Sequence, residues 1–175
     1  MTNYTFQKTI RTIWNNACQS YEAGEREPTK MVSHEDILEL QSIGLNAIDL
    51  FDAVDDNHRY EGDPDFETFL LVSSVRRDYF FQVQKKVPSD KLITVESLPA
   101  KTDAVQGVSW LPRIYDKAIA KIKGELPPEI MFGCAGDRGF LKAFDIAPAD
   151  MLRAAWSFEG DAGAFFDWVI SHTKS

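Results

Sequence analysis

A chain of 175 residues, 44% hydrophobic and 26% charged, is long enough to bury roughly 70% of its unfolded surface, which suits one domain or two closely packed halves. Its formal charge of −8 and pI near 4.9 argue against nucleic acid or an anionic membrane as the main partner, although a local arginine cluster can still hold a small anion. No apolar run reaches the ~18 residues of a membrane span, and the opening MTNYTFQKTIRTIWNN has no apolar signal core, so a cytoplasmic protein is expected.

The two cysteines, Cys18 and Cys134, belong to no CxxC or Cys/His cluster. Reduced thiols are expected, with no structural metal and no cofactor.

From Thr5 to Ala23, Phe6, Ile10, Ile13, Trp14, Ala17, Cys18 and Tyr21 recur at intervals of three and four, which predicts an amphipathic helix ended by Gly24, with Cys18 on its buried face. Ser33 caps a second helix whose acidic first turn, Glu35 and Asp36, suits the helix dipole, and Gly44 closes it. Asn46 opens a third helix with Leu50, Phe51 and Val54 turned inward. After Gly62-Asp63-Pro64, the stretch from Asp65 to Gln84 predicts a helix of about five turns. Its apolar residues lie on more than one side: Phe66, Phe69, Leu70 and Phe80 on one, Leu71, Val75 and Tyr79 on the other. A central, enclosed helix is expected. Arg76 and Arg77 interrupt these apolar faces and need partners there. Asp116 or Asp137 is the expected acceptor for Arg77, because adjacent residues on a helix, such as Asp78, point about 100° apart.

Residues 88–107 change character and read as a connection, with Leu92 to Val95 a short extended run at best. Trp110 to Lys123 predicts a strong helix with Pro112 in its first turn and Gly124 at its end. Shorter helices are expected over Asp137 to Phe144, Pro148 to Ser157 and Ala162 to His172. The expected architecture is all-α, about eight helices in two packed groups around a central buried helix, with an N-terminal region 1–87 and a C-terminal region 108–175 packed as one unit.

Several polar residues are candidates for chemistry. Gly133-Cys134-Ala135-Gly136 leads into Asp137-Arg138 at a helix start, where backbone N–H groups and the helix dipole meet anions. The competing reading is a tight connection with Asp137 as the helix cap. Cys134 is either a nucleophile favoured by that position or a small buried thiol. Asp55-x-x-His58 has one ligand pair of a di-metal bundle without its second, and otherwise reads as a solvated helix end. Arg113, Asp116 and Lys117 form either a solvated face or, together with Arg76, Arg77, Asp137 and Arg138, a buried ion network or a basic pocket for a small anion.

The run Trp110-Leu111-Pro112-Arg113-Ile114-Tyr115-Asp116-Lys117-Ala118, followed by Asp137-Arg138-Gly139-Phe140-Leu141, resembles the bacterial family catalogued only as domain of unknown function 5069. Its members show a Leu-Pro-Arg-x-x-Asp-Lys-Ala helix start and a later Asp-Arg-x-Phe-Leu segment. The likeness covers about Val108 to Val169, and the region from Tyr4 to Lys86 resembles longer members more loosely. It implies a helical fold and brings no catalytic residue. Two functional expectations follow: a cytoplasmic helical interaction or regulatory module of unknown protein partner, or an enzyme or sensor for a small anionic metabolite that binds through the arginines.

Overall fold

A computed structural model describes residues 1–172. Among them are eight α-helices and one two-stranded hairpin, so the fold is all-α in character. The chain divides into two compact units, Met1–Val87 and Pro88–Ser175.

In the first unit, α1 (Phe6–Glu22), α2 (His34–Gln41), α3 (Ala47–Arg59) and α4 (Phe66–Gln82) surround one apolar core. The three-and-four spacing of α1 places Ile10, Ile13, Trp14 and Ala17 in that core, all at most 6% exposed. Trp14 meets Phe66 edge-on at 5.9 Å and Phe69 at 5.1 Å, so α1 and α4 are joined by aromatic packing. Each such ring, fully buried, contributes about 1.5–3 kcal/mol of transfer free energy. Cys18 is only half-buried, at the margin of this core. The helix starts are chemically specified. Ser33 Oγ accepts from Asp36 N at 3.1 Å, Asn46 and Asp49 bond each other's backbone N–H in a capping box, and Asp65 accepts from Thr68 N at 2.8 Å, each satisfying a donor the helix leaves open.

Gly44, between α2 and α3, has φ +81°, and a Cβ built there would lie 2.6 Å from Phe80 Cγ. Both the backbone conformation and the ring of α4 require glycine. The faces of α4 are unequal. Phe66, Phe69, Val75, Tyr79 and Phe80 are buried as the apolar spacing predicts, whereas Leu71 is 47% and Val83 45% exposed. The helix is therefore buried on several sides and open at Leu71, where the wheel predicted enclosure.

In the second unit, α5 (Leu111–Lys123) packs against α7 (Pro148–Ser157), α8 (Ala162–Ile170) and the hairpin strand β1 (Ala104–Val105). Leu111, Ile114, Ala118, Ile122, Met151, Leu152, Phe165 and Val169 fill its core. The strands are not at Leu92 to Val95, where Thr94 instead caps a single 3-10 turn, Val95–Ser97. They lie at β1 and β2 (Val108–Ser109), antiparallel with Val105 opposite Val108. Gln106 and Gly107 both have positive φ, 52° and 80°, the two-residue turn whose twist matches a hairpin. Gln106 Nε2 also donates to Asp167 Oδ1 of α8 at 2.8 Å. The remaining helix, α6, runs Ala135–Ala143, starting two residues and ending one residue before the expected bounds. Among the described residues no helix is long and apolar enough to cross a membrane.

Candidate functional site

The second unit brings four of the predicted polar residues together. Lys117 is the seventh residue of α5, Cys134 occupies the cap position of α6, and Asp137 and Arg138 fall in the first turn of α6. Asp137 is fully buried, Lys117 3% and Arg138 4% exposed. The Asp137 carboxylate is the acceptor at the centre. Lys117 Nζ donates to its Oδ2 in an ion pair, Gly133 N donates to the same oxygen at 2.9 Å, and Trp110 Nε1 donates to Oδ1 at 3.0 Å. Three donors converge on one carboxylate that water does not reach, which is how a buried charge is stabilised. Arg138 turns back to the Gly133 carbonyl at 2.7 Å, so the loop before α6 is held from both sides.

Asp137 is thus not the α6 cap that the sequence suggested. That position belongs to Cys134, whose side chain makes no cap bond, while Asp137, three residues into the helix, reaches back past the cap to the Gly133 N–H. Its carboxylate lies where the helix dipole favours negative charge. Cys134 itself is half-buried, with its Sγ 3.6 Å from Lys117 Nζ.

Trp110 is the residue that the reading of charges missed. It stands immediately before α5 with φ 74°, an uncommon left-handed conformation for a bulky side chain. Its ring covers Gly136, where an added Cβ would lie 2.9 Å from the indole. Lys101 Nζ lies over the ring at 5.7 Å. Two signals were present in the sequence: an indole N–H needs an acceptor when covered, and a glycine at the second residue of a helix implies close approach.

The other candidates go elsewhere. Arg113 shares a face of α5 with Lys117, yet donates to the Pro99 carbonyl at 2.7 Å and so anchors the segment before the hairpin. Asp116 is half-buried with no hydrogen-bond or ion-pair partner among the described residues, and burial pushes its carboxyl above the ordinary range. Its lack of a partner removes it as the acceptor of Arg77.

Arg76 and Arg77 belong to the first unit. Arg76 is 3% exposed, donates to Gln84 Oε1 at 2.7 Å and lies 5.2 Å from the Phe80 ring. Arg77 donates to Asn3 Oδ1 and, at 3.3 Å, to Asp78 Oδ1. Its guanidinium lies 4.9 Å from the Phe6 ring and 4.6 Å from the Phe81 ring. Asp78, dismissed on helix geometry, is therefore a partner, because the long guanidinium arm spans the angle that separates the two Cβ directions.

Asp55 and His58 are taken up by protein groups. Tyr21 Oη donates to Asp55 at 2.8 Å, Arg59 donates to Asp55 at 3.1 Å, and His58 Nδ1–H donates to the Val54 carbonyl at 2.8 Å. Burial, then the Asp55 carboxylate, pushes the Tyr21 hydroxyl pKa up. Among the described residues no group of three or more His, Cys, Asp and Glu side chains is placed to hold a metal ion. Set beside known proteins, the chain matches no family model, no curated protein and no solved structure.

Proposed function

We propose that this protein is a helical interaction or regulatory module that acts in the cytoplasm through a protein partner. The observation that supports this reading is the closure of the Asp137 cluster: a carboxylate with no exposed surface, paired with a buried ammonium and two N–H donors. A site for a small anion needs cationic groups left open to it, and here the Lys117 cation is engaged by Asp137. Exposed aliphatic side chains, among them Val87 at 67% and Leu92 at 62%, supply apolar surface for a partner. The resemblance of residues 111–118 and 137–141 to the bacterial family of unknown function adds no activity to this reading.

A thermal-shift screen with phosphate, sulfate, carboxylates and phosphorylated metabolites tests it. A ligand present at about 100 times its Kd adds about 2.7 kcal/mol to the folded state, a rise in Tm of about 5–10 °C at this chain length. The expected result is no saturable rise. A saturable rise with one anion, abolished by Arg113→Met or Arg138→Met in a folded variant, overturns the proposal in favour of a metabolite enzyme or sensor.

A further inference from the structure

Lys117 and Cys134 are two reactive groups held in contact: Nζ and Sγ are 3.6 Å apart, the lysine is almost wholly buried and the cysteine is partly exposed as a residue. The same amine is ion-paired with the Asp137 carboxylate. The second thiol lacks this setting. Burial, then the nearby Glu22 carboxylate, pushes the Cys18 thiol up, and among the described residues no cation pairs with it.

We propose that Cys134 and Lys117 form a reversible sulfur–nitrogen cross-link when the protein meets a peroxide. In the first step Cys134 sulfur attacks the peroxide: an S–O bond forms, the O–O bond breaks, and the thiol proton leaves with the departing oxygen as water or alcohol. Sulfur loses two electrons to the peroxide and becomes sulfenic acid. In the second step Asp137 takes one proton from the Lys117 ammonium, and the freed amine attacks the sulfenic sulfur. An S–N bond forms, the S–O bond breaks, and the departing hydroxide takes a second amine proton and leaves as water. No further oxidant is consumed. The product is a sulfenamide, the condensation that sulfenic acids undergo with nitrogen. Two equivalents of a thiol reverse it, restoring thiol and amine and leaving a disulfide of the reductant.

The link draws the amine out of its ion pair and ties α5 covalently to the start of α6. Oxidation would thus reset the charge at the one fully buried carboxylate of the cluster, which gives this unit two chemically distinct states.

Mass spectrometry of the parent chain tests this without any variant. The full protein is treated with hydrogen peroxide, digested by trypsin without reductant, and analysed before and after dithiothreitol. The expected product is a joined peptide pair containing Lys117 and Cys134, lighter than the sum of its parts by two hydrogens, uncleaved after Lys117 and separated by dithiothreitol. Three results overturn the proposal: Cys134 carried to sulfinic or sulfonic acid with Lys117 unlinked, a bridge heavier by one retained oxygen, or Cys18 oxidised before Cys134.

Discussion

Replacing Asp137 by Asn removes the charge that Lys117 faces and leaves one acceptor oxygen in place of two. With that oxygen held toward Lys117 and Gly133 N, 2.9 Å away in the parent, the amide NH2 turns to Trp110 Nε1, whose 3.0 Å hydrogen bond is lost. The ammonium is then buried at 3% exposure against an uncharged amide. Breaking one side of a buried pair costs about 3–5 kcal/mol, a large part of the ~5–15 kcal/mol that holds a domain together. Lys117→Met is expected to cost a similar ~3–5 kcal/mol, because it leaves the carboxylate buried with two neutral donors. The double variant Lys117→Met/Asp137→Asn holds no buried charge here and leaves one neutral donor without its acceptor, so its expected cost is about 1–3 kcal/mol. It should be more stable than either single variant. Urea unfolding of the four proteins, read at equal slope, gives the coupling directly. Costs that simply add in the double variant would refute the reasoning. So would single variants within about 0.5 kcal/mol of the parent, the range of an ordinary surface change.

Gly44→Ala should destabilise the first unit by about 2–4 kcal/mol, combining left-handed strain with the overlap against Phe80. Gly24→Ala, also at positive φ but with nothing within 4 Å, should lose only the strain, about 1–2 kcal/mol, and equal losses in urea titrations would show that the Phe80 contact is not tight. For Asp116, burial raises the folded carboxyl pKa above its unfolded value. Its stabilising share is therefore complete below the ordinary carboxylate range and is lost as pH rises through the raised value. Asp116→Asn should thus stabilise the protein at neutral pH, by under ~1 kcal/mol once solvent screening of a half-exposed group is allowed for, and leave it unchanged at roughly pH 3; urea midpoints at the two pH values check the sign. Cys18, raised by burial and Glu22, should alkylate with iodoacetamide more slowly than a free thiol at neutral pH, as followed by peptide mass spectrometry.

The helical character was legible because local chemistry specified it. The spacing in α1, the caps at Ser33 and Asn46, and Gly24 and Gly124 each state a boundary within a few residues of sequence. What was not legible depends on segments that meet only after folding. A helix wheel gives the direction of the Arg77 Cβ but not the reach of its guanidinium, so Asn3 and Asp78 were passed over. The hairpin escaped because it has only two residue pairs and places Gln106, not Asn or Asp, at a positive φ. Lys117, Cys134, Asp137 and Arg138 were named from sequence as candidates. Their arrangement around one carboxylate was not readable, because the contact runs from α5 to the start of α6 and is completed by an indole whose acceptor no local pattern identifies.

The ring of Trp110 lying on Gly136 makes these two positions a single unit of sequence change. A methyl at 136 is compatible only with a smaller side chain at 110, and a smaller side chain at 110 withdraws the indole donor from Asp137. A substitution at the α6 glycine is therefore read out at the buried carboxylate, through a residue that carries no charge. In a library randomised at both positions and selected for folding, glycine at 136 should appear wherever tryptophan is kept at 110, and larger residues at 136 should appear only where tryptophan has been lost.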